Sequence, residues 1–438
     1  MSNYKGVEKS SEIYKRAGEL IPGFTQLRSR LPSVEGVSPI YADHAKGSRF
    51  VDVDGNEYID WVNAVSAIIL GHHDDVVDDA VKEQIDRGSI YTVNSPKEIE
   101  LAEELIDTIP SAEMVRYTKG GGEACALAAR IARGATGKDV ILFSGYHGWH
   151  DWYQAANYVD NTGLVTGVGT KGVPKALAGT AIPFGEFDLE RLKELLEENK
   201  GQVAAIMLEP VRTYTPPEGY LETVIELAHE NDAVAIFDEV SCGWRIAIGG
   251  AQEYLGITPD MTVVAKCISN GYPMGAVVGK REFMAPAEDM FVSSSYWSDN
   301  IGLTASITTI RELKRRNSAQ RFEEIGEGLR AGLKSAMSSV GIPGDVVGFF
   351  NAPTIEINLP DETLRPKVNS IFTTELAKQG IHGGVRFMGT LAHTEQDIEE
   401  TVRAAHSALE VIRQGLEGNL DELLTTDVRP DPINRIVR

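Results

Sequence analysis

From about residue 98 to residue 280 the chain alternates short apolar runs with amphipathic stretches, and this pattern constrains its fold more than any other feature. The apolar runs are Met114–Thr118, Val140–Phe143, Ala181–Phe184, Val203–Leu208, Val234–Phe237, Thr262–Ala265 and Ala276–Gly279. Helical spacing of apolar residues intervenes near 122–134, 188–199 and 219–230. Strands that are apolar throughout must be covered on both faces. The pattern therefore predicts an α/β fold with a mostly parallel sheet between helices. Ligands of such sheets bind at the carboxyl ends of the strands, so the residues just beyond each apolar run are the ones to read for chemistry.

The flanks differ. Ile13, Ala17, Leu20 and Ile21 fall at helical spacing before a break at Pro22-Gly23. Residues 49–61 alternate about Asp54-Gly55-Asn56, which predicts a β-hairpin. Beyond residue 312 the pattern becomes mixed α+β. It ends in a helix with Ile398, Val402, Ala405, Leu409 and Ile412 on one stripe, Thr394 to Asp397 capping its start and Gly415 following its end. A chain of 438 residues exceeds what one core usually supports. We expect an N-terminal segment (1–70) that packs with a smaller C-terminal α+β domain (313–438), and a large domain (71–312) between them in sequence.

The formal net charge of -22, from 42 Lys plus Arg against 64 Asp plus Glu, disfavours binding to nucleic acid or to anionic lipid. The three cysteines, Cys125, Cys242 and Cys267, form no C-x-x-C pair and read as buried small hydrophobes in a reducing compartment. The first twenty residues are polar, without the apolar stretch of a signal peptide, and the longest apolar run, Ala67 to Leu70, is far short of a membrane span. A cytoplasmic protein is expected.

Four segments at strand ends carry chemistry. Lys119-Gly-Gly-Gly-Glu-Ala124 opens a helix. Its glycines let backbone N–H groups approach an anion such as phosphate, although glycines at such a turn are also a purely steric solution. In Gly145-Tyr-His-Gly-Trp-His-Asp151 an aromatic at a strand end can stack on a planar ligand. A metal site there is disfavoured for lack of a further ligand cluster at metal spacing. His150 taken alone reads as a hydrogen-bonded structural histidine. In Ala235 to Arg245 an apolar strand runs into Asp238-Glu239, where a semi-buried carboxylate needs a cation. A protonated pyridine nitrogen, a helix cap or a salt bridge to Arg245 would each serve. In Val263 to Gly275, Lys266 follows an apolar strand without acidic neighbours. It is either a nucleophile towards carbonyls or a snorkelling surface lysine.

Together these segments supply, in order, a phosphate cradle, a stacking aromatic, an acid for a pyridine nitrogen and a Schiff-base lysine, the set that pyridoxal phosphate needs. With Asp52 to Asp60, Leu70-Gly-His72, Ile109 to Arg116, Leu208-Glu-Pro-Val211, Gly249-Gly-Ala-Gln252 and Leu391-Ala-His-Thr394, the sequence resembles the class III pyridoxal-phosphate aminotransferases of fold type I, in their glutamate-1-semialdehyde aminomutase-like branch. The resemblance covers nearly the whole chain.

The resemblance implies roles residue by residue. Lys266 is the Schiff-base lysine, Asp238 the partner of the pyridine nitrogen, Tyr146 the stacking aromatic and Val240 the residue on the opposite ring face. Gly121 and Gly122 form the phosphate cradle, although this chain reads Gly120-Gly121-Gly122 where the family usually has Ser-Gly-Thr. The family brings a partner-subunit threonine to the phosphate. Ser295 stands at the matching position and implies a homodimer with shared active sites. Arg30 falls where aminomutase-like enzymes hold the substrate carboxylate, Arg386 offers a second anion contact, and Trp297 helps shape the pocket. The expected reaction is ping-pong transamination between an amine donor and a carbonyl acceptor through Lys266. The alternatives are a 2,1-aminomutase and a catalytically inactive relative. Ala64-Val65-Ser66, standing where aminomutases carry a Trp-containing segment, favours the transaminase. Retention of Lys266, Asp238 and Tyr146 speaks against an inactive scaffold.

Overall fold

The computed structural model describes residues 4–159 and 169–426. The chain divides into two compact units, one formed by residues 4–74 and 320–426 and the other by residues 75–319.

In the first unit, β1 (Ala42–Lys46), β2 (Arg49–Asp52) and β3 (Glu57–Asp60) form an antiparallel meander. The hairpin expected about Asp54-Gly55-Asn56 is present. Gly55 takes φ +82°, and Asp52 Oδ1 accepts from the backbone N–H groups of Asp54 (3.0 Å) and Asn56 (2.8 Å), which fixes the turn locally.

The second unit holds β4 (Met114–Thr118), β5 (Val140–Ser144), β6 (Ala181–Pro183), β7 (Val203–Leu208), β8 (Val234–Asp238), β9 (Met261–Val264) and β10 (Gly275–Gly279). They form one sheet in the order β4-β10-β9-β8-β7-β5-β6. β5, β6, β7, β8 and β9 pair in parallel, and only β10 runs against its neighbours β4 and β9. The seven apolar runs are thus the seven strands of one mostly parallel sheet. Their alternation sends residues to two different cores. Ile141, Phe143 and Ile236 pack with the helix Gly121–Thr136 on one face, while Leu142, Ile206 and Phe237 pack with the helices Leu189–Glu198 and Tyr220–Glu230 on the other. Because both faces are buried, the strands read as continuous apolar runs rather than alternating ones.

Back in the first unit, β11 (Gly344–Val347) pairs with β12 (Thr354–Ile357), and β13 (Ile381–His382) adds in parallel to β3. The last long helix, Glu395–Glu417, buries Ala405, Leu409 and Ile412. Its start is the expected capping box: Asp397 N–H donates to Thr394 Oγ1 (3.1 Å) and Thr394 N–H to Asp397 Oδ2 (2.9 Å). The end differs from expectation. Gly415 lies inside the helix and Gly418 ends it. A side chain at 415 would press on Leu420 and Leu423, so the glycine is there for packing rather than for capping.

The first helix, Glu8–Leu20, also departs from the apolar stripe. Tyr14 and Ala17 are buried, whereas Ile13 (37% exposed) and Leu20 (62% exposed) face outward. The buried face is set by Tyr14, whose ring stacks on Phe24 at 4.8 Å.

Candidate active site

The residues singled out in the second unit follow the carboxyl ends of β4, β5, β8 and β9. Asp238 is the last residue of β8, paired with Val263 of β9, and its carboxylate is almost wholly buried. Burying a carboxylate is costly unless its oxygens are hydrogen-bonded. Oδ1 accepts from the Val240 N–H (3.0 Å), while Oδ2 lies 2.7 Å from His147 Nδ1 and accepts from the Cys125 thiol (3.3 Å). His147 is held in turn by the Ser144 carbonyl, 3.1 Å from Nε2. Arg245, considered above as a partner of Asp238, is instead buried beside Cys267. The ligand atoms of Cys125, His147 and Asp238 lie within 4.8 Å of one another. Burial and the neighbouring Asp238 push the Cys125 thiol well up from its ordinary range, so it donates to Asp238 as a thiol.

Lys266 follows β9 by two residues and adopts φ +51°, the left-handed region that costs a non-glycine residue free energy and tends to persist at functional sites. Its Nζ donates to Ser241 Oγ at 2.9 Å, which brings the amine to the loop that begins at Asp238. Glu239, next to Asp238, faces the other way. Its carboxylate accepts from the Ala251 N–H (2.6 Å) and from Gln252 Nε2 (3.0 Å), and burial pushes its pKa up to about 7.

Past β4, Gly120 precedes the helix Gly121–Thr136 and no side chain caps its start, so the first-turn N–H groups are available to an anion. Two close approaches fix this end. A Cβ on Gly121 would lie 2.8 Å from Val240 Cγ1, and a Cβ on Gly148 (φ +104°) would lie 2.6 Å from Gly122 Cα. The loop after β5 therefore presses backbone to backbone on the helix start, and glycine is what both positions admit. Tyr146 lies on this loop, half-buried, with its N–H donating to Glu209 Oε2 (3.0 Å) at the end of β7 and its ring edge-on to Tyr153 at 5.8 Å. His150 was expected to be hydrogen-bonded, and its Nδ1 departs from that. Its Nδ1 is shielded from solvent and has no partner among the described residues.

Of the other expected site residues, Trp297 packs near the same helix start. Its indole N–H donates to Glu123 Oε1 (2.9 Å), and the Arg116 guanidinium lies 5.9 Å above its ring. Ser295 is exposed, between the exposed rings of Phe291 (88%) and Tyr296 (67%). Arg30 and Arg386 belong to the first unit. Arg30 is exposed and lines a cavity of about 570 Å³ with Tyr14, Tyr41, Asp60, His72 and His382. Arg386 is half-buried, its backbone bridging Thr354.

The model of one protein family, Aminotransferase class-III, matches residues 32–409. The chain belongs to the class-III aminotransferases. Among its relatives in that family it is 34% identical to the 3-aminobutyryl-CoA aminotransferase of Cloacimonas acidaminovorans, over 93% of this chain and 98% of that one. It is also 34% identical to glutamate-1-semialdehyde 2,1-aminomutase 2 of Staphylococcus haemolyticus, over 92% and 99%. A transaminase solved with PLP bound superposes with a TM-score of 0.85 at 26% identity, over 94% of this chain and 99% of that one. The fold is thus the one anticipated from the strand pattern.

Within this aminotransferase, three residues at the site carried no role in the sequence analysis. His147 and Cys125 both serve Asp238, and Glu209 holds the Tyr146 backbone. The signal available for Cys125 was its spacing, one helical turn after Gly121. For His147 it was its place directly after Tyr146 at a strand end.

Proposed function

We propose that this class-III aminotransferase binds pyridoxal phosphate on the second unit and moves amino groups through Lys266. One observation carries the assignment: a buried Asp238, held by three donors, lies one loop from a lysine kept in a strained backbone conformation. The residues fit the cofactor. The glycine-lined, uncapped helix start suits a phosphate, and a buried carboxylate suits a pyridine nitrogen that must stay protonated. When bound, pyridoxal phosphate supplies a sink for the negative charge that develops at the substrate carbon.

The chain's own residues do the rest. Lys266 Nζ is the amine that would hold the cofactor's aldehyde group, and as a free amine it would move a proton at the substrate carbon. Asp238 would keep a proton on the pyridine nitrogen, with His147 and Cys125 fixing the carboxylate. Tyr146 and Val240 would enclose the ring, and Gly121 and Gly122 would offer backbone donors to the phosphate. We carry Arg30, with Arg386, forward as partners for a substrate carboxylate, and Trp297 as a wall of the pocket.

We further infer a homodimer in which Ser295 serves the partner's phosphate. In support, Ser295 sits on an exposed segment flanked by Phe291 and Tyr296, an apolar patch that a second subunit would cover. A cytoplasmic location is supported by three free buried cysteines. No helix among the described residues is long and apolar enough to cross a membrane.

The aminomutase reading stays as the second reading because a named aminomutase is as similar to the chain as a named aminotransferase. The test is the visible spectrum of the wild type and of Lys266→Ala, each with pyridoxal phosphate and then with a panel of amines that includes β-amino acids and their thioesters. A lysine-dependent band bleached by particular amines, with the amino group recovered on a separate acceptor, supports the transaminase. Recovery only on the same carbon skeleton supports the aminomutase. A spectrum identical in the two proteins sinks the assignment of Lys266.

A further inference from the structure

The cavity of about 570 Å³ beside Arg30 is lined wholly by residues of the first unit. Its volume is that of pockets that enclose drug-sized ligands, well beyond what the pairing of one carboxylate with Arg30 requires. Ile40, Phe50 and Ile381 give it apolar surface. One wall is strained. Asn63, Ala64, Val65 and Ser66 take φ between +50° and +65°, a left-handed turn that costs each of them free energy, β-branched Val65 most. Ala64 and Val65 line the cavity, and strain of this kind clusters at ligand clamps, where the surroundings over-determine it. Here Asp60 does so, its Oδ1 accepting from the N–H groups of Val62 (2.9 Å) and Asn63 (3.0 Å).

The cavity also holds two imidazoles of defined polarity. Asp60 Oδ2 lies 2.9 Å from His72 Nε2. Burial raises the Asp60 pKa, but hydrogen bonds, led by that from His72, outweigh it and hold the carboxyl below its ordinary value. An ionised carboxylate only accepts, so the proton of a neutral His72 sits on Nε2 and Nδ1 is left as an acceptor. His382 is fixed on β13 by the Trp61 N–H, which donates to its carbonyl (2.9 Å), and by Phe50, edge-on to the imidazole at 5.3 Å. It is half-buried, and its ring nitrogens make no hydrogen bond to a described residue. Burial pushes its pKa down against the pull of Asp60, so at pH 7 it offers one N–H and one lone pair.

We propose that this cavity takes the part of the substrate beyond its reacting amine, an extended apolar arm that carries an amide and ends in an anion, and that His382 is the specificity-determining residue that hydrogen-bonds the amide. An amide brings an acceptor for the His382 N–H and a donor for the His72 lone pair, while Arg30 pairs with the anion.

This assignment rests on the substrate role given to Arg30 above, and its test needs neither cofactor nor turnover. Full-length protein freed of cofactor is titrated by calorimetry with N-butyryl-β-alanine, with octanoate, which has the same chain length and carboxylate but no amide, and with butyrate. The wild type should bind N-butyryl-β-alanine at least about tenfold tighter than butyrate. His382→Phe should weaken N-butyryl-β-alanine about tenfold and leave octanoate within about twofold. His382→Asn keeps a donor and an acceptor and should recover part of the loss. Equal wild-type affinity for N-butyryl-β-alanine and butyrate overturns the extended arm, whether or not the variants fold. An equal loss of N-butyryl-β-alanine and octanoate in His382→Phe shows a structural role and overturns the assignment of His382, as does no loss at all. A wild type that binds none of the three overturns the cavity as a ligand site. Failure of the Lys266 spectrum is a separate result, which would overturn the transaminase reading and leave the calorimetry standing.

Discussion

Glu239 makes the stability of the second unit depend on pH in a direction opposite to most carboxylates. It is fully buried, and desolvation raises its pKa from 4.5 to about 7 despite the hydrogen bonds from Gln252 and Ala251, with Asp238 adding to the rise. A raised value means that the folded protein keeps a proton the unfolded chain has already released. The stabilisation is therefore complete below about pH 4.5, falls through the interval between, and is gone once the pH passes about 7. At ~1.36 kcal/mol per unit of pH, the interval amounts to roughly 3 kcal/mol. Glu239→Gln has no proton to lose. Its side-chain carbonyl can still accept from the Ala251 N–H, which now donates to Oε2 at 2.6 Å. Urea midpoints of both proteins, taken at intervals from pH 4.5 to 8, give the difference in stability directly. The variant should gain on the wild type by roughly 3 kcal/mol across that range, mostly between pH 5 and pH 7. A difference that stays flat with pH would refute the claim that Glu239 is held protonated in the folded state.

Two further outcomes are expected. Gly148→Ala puts a Cβ 2.6 Å from Gly122 Cα at φ +104°. It should lower stability by at least about 2 kcal/mol in thermal or denaturant unfolding and weaken pyridoxal phosphate binding, whereas unchanged melting would show that the loop and the helix start are not in contact. For the dimer, sedimentation of the wild type should give twice the chain mass, and Phe291→Asp should shift it towards monomer; a monomeric wild type removes the role given to Ser295.

Most of the fold was legible because its cause is local. A strand apolar on both faces writes itself into sequence as an unbroken run, and Val203–Leu208 comes out of the structure with the bounds read from the sequence. Where the reading departed from the structure, the deciding contact was distant in sequence. The face of the first helix is chosen by Tyr14 against Phe24 rather than by Ile13 and Leu20. Gly415, placed at a helix end by its residue type, is kept small by Leu420 and Leu423. Residue type suggests what a position tolerates, but packing decides which of those tolerances is used.

The same distinction explains the site. Asp238 and Lys266 were legible because each is chemically out of place, a carboxylate and an amine at the ends of apolar runs. His147 and His150 were not, because neither histidine has a reading of its own until the loop after β5 reaches Asp238 at the end of β8 and packs on the helix start that follows β4. Read along one segment, the glycines at 120 and 122 look like a loss of phosphate donors. Read across two strand ends, the same absence of a side chain at 122 admits Gly148 to its backbone and leaves room for the His150 ring. A side chain at 122 and an imidazole at 150 compete for one space, so the glycine at 122 and the placement of His150 are two sides of a single packing choice.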